Sequence, residues 1–140
     1  MAEAIARAAI ARRGLDIEVG SAGTSAWDGA PASDGALLVG MERQLDLSSH
    51  RSRLLTAPLL RQYDLVLGMS ATHLERAADL GAGARVQLLT AYASSGASSR
   101  EISDPFGGEL DVYRMTLSEL EQEVERVLDR VEAERSPRRS

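Results

Sequence analysis

Apolar residues recur along the chain in two patterns, every three to four positions over long stretches and every second position over short ones. The first pattern is typical of amphipathic helices and the second of strands. Helices are predicted over Met1–Arg13, from a cap at Ser33 to about Gln44, from a cap at Ser70 to Leu80, and from about Asp111 to Glu134, and strands over Asp16–Val19, Tyr63–Met69 and Val86–Leu89. This alternation predicts an α/β fold, and the continuous apolar run of Tyr63–Met69 suits a strand of a buried parallel sheet.

Residues that favour helix ends lie where the apolar periodicity starts and stops. Gly14 is the predicted stop of the first helix, because glycine adopts the left-handed conformation that follows many helices. Ser33 and Ser70 are predicted N-caps, and Thr56 is predicted to cap a short turn that contains Pro58. The boundaries of the helices are therefore predicted from local chemistry as well as from periodicity.

Two helices carry apolar faces that predict where they pack. Leu37, Leu38 and Met41 are expected to face inward from the second helix. The final helix carries a longer stripe, and its residues are Tyr113, Leu117, Leu120, Val124, Val127 or Leu128, and Val131. We expect this stripe to pack against the sheet, since it is too short to indicate a coiled coil.

The first predicted helix begins at Met1 without a capping residue and without a strand before it. In a chain that alternates helices and strands, the element before this helix should be a strand. The pattern therefore predicts that this methionine is an internal residue of a longer domain.

A chain of 140 residues is expected to form one domain, here over residues 1–134 with a disordered tail at 135–140. The formal net charge of −5 argues against a nucleic-acid binder that relies on electrostatics. No apolar run is long enough for a membrane span and no signal-peptide pattern opens the chain. We therefore expect a cytoplasmic protein without nucleic-acid or membrane partners.

The composition also restricts the chemistry of any active site. The chain has no cysteine, which excludes disulfides, a thiolate nucleophile within these residues and a cysteine-based metal site. Only two histidines, His50 and His73, are present, so a zinc site with several histidines is excluded too. No metal and no cofactor are predicted.

The stretch with the most distinctive chemistry runs from Ser103 to Gly108 and contains an Asp-Pro-Phe-Gly-Gly sequence. Proline keeps the backbone of Asp104 extended, and the glycines allow a sharp turn into the final helix. Phe106 places an apolar ring beside the carboxylate, an arrangement that suits a general acid. The alternative is an ordinary turn with a solvated aspartate, and these six residues alone favour that alternative.

Two further loops offer weaker candidates for anion binding. Glycines and serines at 20–25 can bring backbone N–H groups near an anion, although their spacing matches no known phosphate-binding motif. Arg51 and Arg53 can meet phosphate or form surface ion pairs, and a structural hydrogen bond is the first expectation for His50. Trp27 is more typical of a partly buried anchor than of a ligand platform.

Several segments together resemble the low-molecular-weight protein-tyrosine-phosphatase family, in the family's order and at similar spacing. These segments are Met1–Ala6, Ser21–Thr24, Asp46–Arg53, Tyr63–Met69 and Asp104–Gly108. The Asp-Pro-Phe-Gly-Gly form followed by Val112-Tyr113 is similar to the bacterial branch that includes protein-arginine phosphatases. The resemblance implies a three-layer α/β sandwich of the phosphotyrosine phosphatase I-like class, with a four-stranded sheet whose central first strand is missing here.

The resemblance also implies a two-step phosphoryl transfer through a cysteinyl phosphate, with no cofactor. Asp104 corresponds to the general acid and base, and Phe106 to a wall of the substrate cleft. Ser21 and His50 correspond to residues that support the phosphate loop. The nucleophile loop, which in relatives precedes the segment matching Met1–Ala6, is absent from these 140 residues.

The resulting hypothesis is a protein phosphatase for phosphotyrosine or phosphoarginine that is inactive as the chain stands, because the cysteine is absent. Its partners would be a phosphorylated protein or a small phosphate ester. The alternative is a non-catalytic phosphoprotein-binding or regulatory relative, a pseudophosphatase. An arsenate reductase of a related fold would need a cysteine as well. An open slot in the sheet makes a homo-oligomer possible.

Overall fold

A computed structural model describes residues 1–24, 28–82 and 86–135, and it consists mainly of helices around a small sheet. In chain order the elements are α1 (Ala2–Arg13), α2 (Asp34–Glu42), α3 (Ala57–Leu60), β1 (Val66–Gly68), α4 (Ala71–Asp79), β2 (Val86–Leu88), α5 (Leu89–Ala93) and α6 (Leu110–Arg135). Trp27 and residues 136–140 of the predicted tail lie outside the described residues, whereas Arg135, the first residue of that predicted tail, is the last residue of α6. None of the helices within the described ranges is both long and apolar enough to cross a membrane.

The sheet in the described part of the chain has two parallel strands, β1 and β2. Val66 lies opposite Val86, and Gly68 lies opposite Leu88. The predicted strand over Asp16–Val19 is wrong as a strand, since these residues form no ladder with a neighbour. Residues 16 to 19 do alternate between exposed and half-buried, as the side chains of a strand would. Their backbone, however, pairs with no strand among the described residues.

The centre of the structure is α6, whose predicted apolar stripe is confirmed. Tyr113, Leu117, Leu120, Val124, Val127 and Leu128 are buried, and Val131 is partly buried against the same core. This face packs against α1, α2 and α5. The longest helix therefore organises the other helices of the core, since burial of an amphipathic face is what stabilises most protein helices.

The predicted inward face of α2 is wrong for two of its three residues. Leu38 and Met41 are 51% and 71% exposed, whereas Val39 is fully buried. The reason lies at Gly35, where a Cβ atom would come within 2.4 Å of the Tyr113 ring. The small residues of α2 face α6 because they allow this close approach, and the larger side chains are left outside.

The predicted helix ends agree with the structure, although the capping hydrogen bonds differ. Gly14 ends α1 with a φ of 65°, and the Thr56 hydroxyl accepts a hydrogen bond from the Leu59 N–H at 3.3 Å. Ser33 precedes α2, but its hydroxyl bonds the Tyr113 hydroxyl at 3.1 Å. Helix α5 was not predicted, because the apolar pattern of β2 continues through Leu89 without a break.

Arg13 joins the end of α1 to α6 through three carboxylates. Its guanidinium lies 2.5 Å from Glu125, 3.0 Å from Asp129 and 2.6 Å from Glu132. The hydrogen bond from Arg13 is the main cause that lowers the pKa of the Glu125 carboxyl below its ordinary value. The contact between Arg13 and Glu125 therefore stabilises the folded state only while the Glu125 carboxyl is ionised.

We expect Arg13→Gln to lower the free energy of unfolding by about 1 kcal/mol at pH 7, because the site is partly exposed and screened by solvent. The folded-state pKa of Glu125 is below the unfolded value of 4.5, so this stabilisation is present above pH 4.5 and is lost as the pH falls through the folded pKa. Urea titrations at pH 7 and pH 3 measure the difference. Arg76→Gln on the exposed face of α4 is the control, and a pH-independent loss in Arg13→Gln would contradict the ionic explanation.

Candidate active site

Asp104 lies on a short turn whose shape is set by its own sequence. Its carboxylate oxygen Oδ1 accepts a hydrogen bond from the Phe106 N–H at 3.0 Å. The Gly108 N–H then donates to the Pro105 carbonyl at 2.8 Å, and Gly107 has a φ of 79°. Because residues with side chains rarely adopt this φ, glycine at position 107 is what lets the chain reverse into α6.

The segment before Asp104 is fixed to the junction of β1 and α4. The buried residue Ile102 donates its N–H to the Met69 carbonyl at 2.9 Å. One residue earlier, the Glu101 carboxylate accepts the Ala71 N–H at 2.8 Å, at the first turn of α4. These two hydrogen bonds place the Asp104 turn beyond the carboxyl end of β1, the edge where open α/β sheets bind ligands.

The amino end of α1 lies close to the same turn. Burial lowers the pKa of the Met1 amino group, and the negative charges of Glu3 and Asp104 oppose that shift. No side chain caps the first N–H groups of this helix. The Asp104 carboxylate thus lies near a helix end that carries partial positive charge, a feature that suits an anionic phosphoryl group.

Ser21 holds the first turn of α1 from the side. Its hydroxyl donates a 2.6 Å hydrogen bond to Glu3, and Glu3 forms a 2.7 Å ion pair with Arg7. Arg7 in turn donates to the Val19 carbonyl at 3.3 Å. This chain of contacts ties residues 19–21 to the helix, and the role of Ser21 in supporting a phosphate loop stays a prediction.

His50 belongs to a separate part of the surface. It lines a cleft of about 710 Å³ between α1 and the loop at residues 46–53, and its backbone N–H donates to the Leu47 carbonyl at 3.1 Å. Glu3 also lines this cleft, whereas Asp104 and Phe106 do not. The structure therefore joins Asp104 with Phe106 in one turn and links Ser21 to Glu3, whereas His50 lies in the cleft, which neither Asp104 nor Ser21 lines.

The Phe106 ring is 76% exposed, and Asp104 is exposed as well. The ring thus lies at the surface beside the turn and does not bury the carboxylate. Its assignment as a wall of the substrate cleft stays a prediction. In the described ranges, no group of three potential metal ligands is placed to hold an ion.

Two residues that orient the site were missed in the sequence. Glu101 anchors the Asp104 segment to α4, and Glu3 links Ser21 to α1. An acidic residue in the first turn of a helix is a recognisable signal, and it could have singled out Glu3. No local pattern indicates Glu101, because the helix that it caps lies thirty residues earlier in the chain.

Comparison with known proteins shows which proteins this chain is similar to. The family model described as low molecular weight phosphotyrosine protein phosphatase matches residues 1–137. A protein-arginine-phosphatase of Bacillus subtilis is 34% identical over 122 residues, which cover 87% of this chain and 81% of that protein. The tyrosine phosphatase Wzb of Salmonella typhi is 31% identical over 106 residues, 76% of this chain and 70% of that protein.

A solved structure gives the same fold. The arginine phosphatase YwlE, in a cysteine-to-serine mutant with a phosphorylated active-site serine, superposes with a TM-score of 0.88 at 32% identity. The match covers 94% of this chain and 86% of that one. The small parallel sheet and its surrounding helices are thus those of a known enzyme fold.

Proposed function

The chain belongs to the low molecular weight phosphotyrosine protein phosphatase family, and from that premise we propose that Asp104 is the general acid and base of a phosphatase site. The observation that carries the proposal is the position of Asp104, on a fixed turn beyond β1 and near the uncapped end of α1. The carboxylate can therefore reach a leaving group whose phosphoryl oxygens are held by the helix N–H groups.

In the proposed first step, a cysteine thiolate attacks phosphorus and the bond from phosphorus to the leaving group breaks. The protonated Asp104 carboxyl gives its proton to the departing oxygen or nitrogen, so the leaving group departs neutral. In the second step, the Asp104 carboxylate takes a proton from water while the water oxygen bonds to phosphorus and the sulfur–phosphorus bond breaks. Phosphate and free thiolate result, and Asp104 is protonated again.

The thiolate is the part of this mechanism that these residues do not supply. The 140 residues contain no cysteine, and serine or threonine without a strong base would be a far weaker nucleophile at neutral pH. We therefore expect the chain by itself not to cleave a phosphoryl group, and to bind one at the Asp104 site only weakly, because the phosphate loop is not among these residues. In the arginine phosphatase mutant, the phosphorylated active-site residue is a serine that replaces a cysteine, which supports a cysteine as the nucleophile of the proposed mechanism.

The proposed substrates are proteins phosphorylated on tyrosine or arginine. Relatives of both kinds are similar to this chain at comparable identity, 34% for the protein-arginine-phosphatase and 31% for Wzb. The Asp104 turn can serve both chemistries, because phenolate oxygen and guanidine nitrogen each need a proton as they leave.

The test joins the chain to a phosphate-loop segment. We expect that the 140 residues alone do not hydrolyse p-nitrophenyl phosphate or phosphoarginine faster than the background rate measured without protein. Fusing the cysteine-containing amino-terminal segment of the Bacillus subtilis relative before Met1 should produce turnover. The same fusion with serine in place of the cysteine is the matched control. Turnover by the unfused chain, or a folded but inactive cysteine fusion, would refute the proposed role.

A second candidate function is that of a pseudophosphatase that binds phosphorylated proteins without cleaving them. The absence of cysteine from all 140 residues favours it. Saturable binding of phosphotyrosine or phosphoarginine peptides by the unfused chain, at an affinity comparable with a phosphoprotein-binding domain, would support this function over the first.

A further inference from the structure

The cleft between α1 and residues 46–53 is lined by charged side chains that the proposed phosphatase chemistry does not use. Three arginines line it, namely Arg7, Arg51 and Arg53, and so do three acids, Glu3, Glu18 and Asp46. Its volume of about 710 Å³ is ample for a small ligand. The Asp104 turn is not part of its lining, so the cleft is a separate place on the molecule.

The backbone that carries two of these arginines is extended and held on both sides. The Gly23 N–H donates a 2.8 Å hydrogen bond to the Arg53 carbonyl, and the Ser52 N–H donates one of 2.8 Å to the Ala30 carbonyl. Arg51 forms an isolated antiparallel bridge with Pro31. Alternate residues of an extended chain share a face and lie about 6.6 Å apart, so Arg51 and Arg53 project from the same side.

Both guanidinium groups are positioned by backbone carbonyls and not by acids. Arg51 Nη1 donates to the carbonyls of Ser48 and His50 at 3.1 and 2.7 Å. Arg53 Nε donates to the Ser21 carbonyl at 3.2 Å. Across the part of the chain that the structure describes, neither arginine is within ion-pair distance of a carboxylate. A guanidinium has five N–H donors, so each keeps donors for a ligand.

Arg7 differs from these two, because Glu3 already neutralises it at 2.7 Å. Of the carboxylates in the cleft, Asp46 accepts the Ser48 N–H at 2.9 Å, and Ser48 is also the main cause that lowers its pKa. Asp46 is therefore engaged within its own loop. The two charges that remain oriented but unneutralised on one face are those of Arg51 and Arg53.

We propose that Arg51 and Arg53 bind a phosphate-sized oxyanion in this cleft, independently of the Asp104 site. The ligand class is a phosphoryl group, either free phosphate or a phosphorylated side chain, because two fixed guanidinium groups match its several acceptor oxygens. Glu18 and Asp46 lower the affinity, so we expect dissociation constants on the order of millimolar for phosphate alone. The inference does not require catalysis and does not depend on the role of Asp104.

The experiment is a nuclear magnetic resonance titration of the full 140-residue chain, which follows the arginine Nε–H signals at constant ionic strength. Inorganic phosphate is the first probe, and phosphotyrosine and phosphoarginine peptides are the second. Saturable shifts confined to Arg51 and Arg53 are expected, and each of Arg51→Gln and Arg53→Gln should weaken binding about tenfold or more. Tighter binding of a peptide than of phosphate would identify a phosphorylated side chain as the ligand.

Two further variants distinguish specific binding in the cleft from non-specific electrostatic attraction between the anion and surface arginines. Arg61→Gln is the matched control, since Arg61 is exposed and lies outside the cleft; it should leave the affinity unchanged. Glu18→Gln should tighten binding two- to threefold by removing a nearby negative charge. Equal weakening by Arg61→Gln and Arg53→Gln, or no saturation at 50-fold above the expected dissociation constant, would overturn the proposal. Circular dichroism establishes that each variant is folded.

Discussion

Replacing Asp104 by Asn, in the fusion that carries the cysteine loop of the Bacillus subtilis relative, should lower kcat/KM for phosphoarginine by about 10²- to 10⁴-fold. Asparagine has nearly the same shape and can keep an oxygen acceptor for the Phe106 N–H, the contact that shapes the turn. It has no acidic proton to give to the leaving nitrogen. The loss therefore reports proton transfer and not a change in the loop.

The leaving group provides a second readout that a structural defect would not mimic. p-Nitrophenolate departs readily without a proton, so kcat/KM for p-nitrophenyl phosphate should fall much less than the value for phosphoarginine. Glu109→Gln is the matched control, because Glu109 is an exposed acid five residues farther along the same segment; it should change either value less than twofold. Equal losses for both substrates, or an active Asp104→Asn variant, would exclude the acid role.

Features encoded in short stretches of sequence were predicted well. The stop at Gly14 and the cap at Thr56 depend on residues within one helical turn, and the apolar stripe of α6 repeats a spacing of three or four residues along one helix. Local spacing and local hydrogen bonding determine such features, so they can be derived before any tertiary contact is known.

Features that depend on a distant neighbour were predicted less well. Ile17 and Val19 have the alternation of a strand, but a strand also needs a partner for its backbone, and the described residues provide none. The face of α2 that turns inward was likewise decided by the Tyr113 ring, which packs against Gly35. Hydrophobicity alone favoured Leu38, whereas close packing favoured the small residues.

The same distinction between local sequence and tertiary packing applies to the candidate active site. Asp104 could be singled out because proline and two glycines surround it, and these residues restrict the backbone locally. Its surroundings could not be derived, since the Glu101 contact with Ala71 and the nearness of the Met1 amino group arise from tertiary packing. The sequence thus singled out the residue that we propose as the general acid and base, and the fold brings it near the amino end of α1.

Replacing Leu117 by Ala is expected to lower the free energy of unfolding by about 3–5 kcal/mol. Leu117 is fully buried in the core cluster, on the helix that packs against α1, α2 and α5. Its removal leaves a cavity where several helices meet, and a rigid junction has little freedom to collapse. A loss of this size is a large part of the total stability of a domain, typically 5–15 kcal/mol.

Met115→Ala is the matched control, because Met115 lies on the same helix only two residues away and is 73% exposed. Both substitutions replace a long apolar side chain by alanine, so any gain in helix propensity is nearly the same in both. The control should change stability by less than about 0.5 kcal/mol in urea titrations. Similar losses for the two variants would mean that α6 does not turn the Leu117 face toward the core, and the packing of the other helices around it would then be wrong.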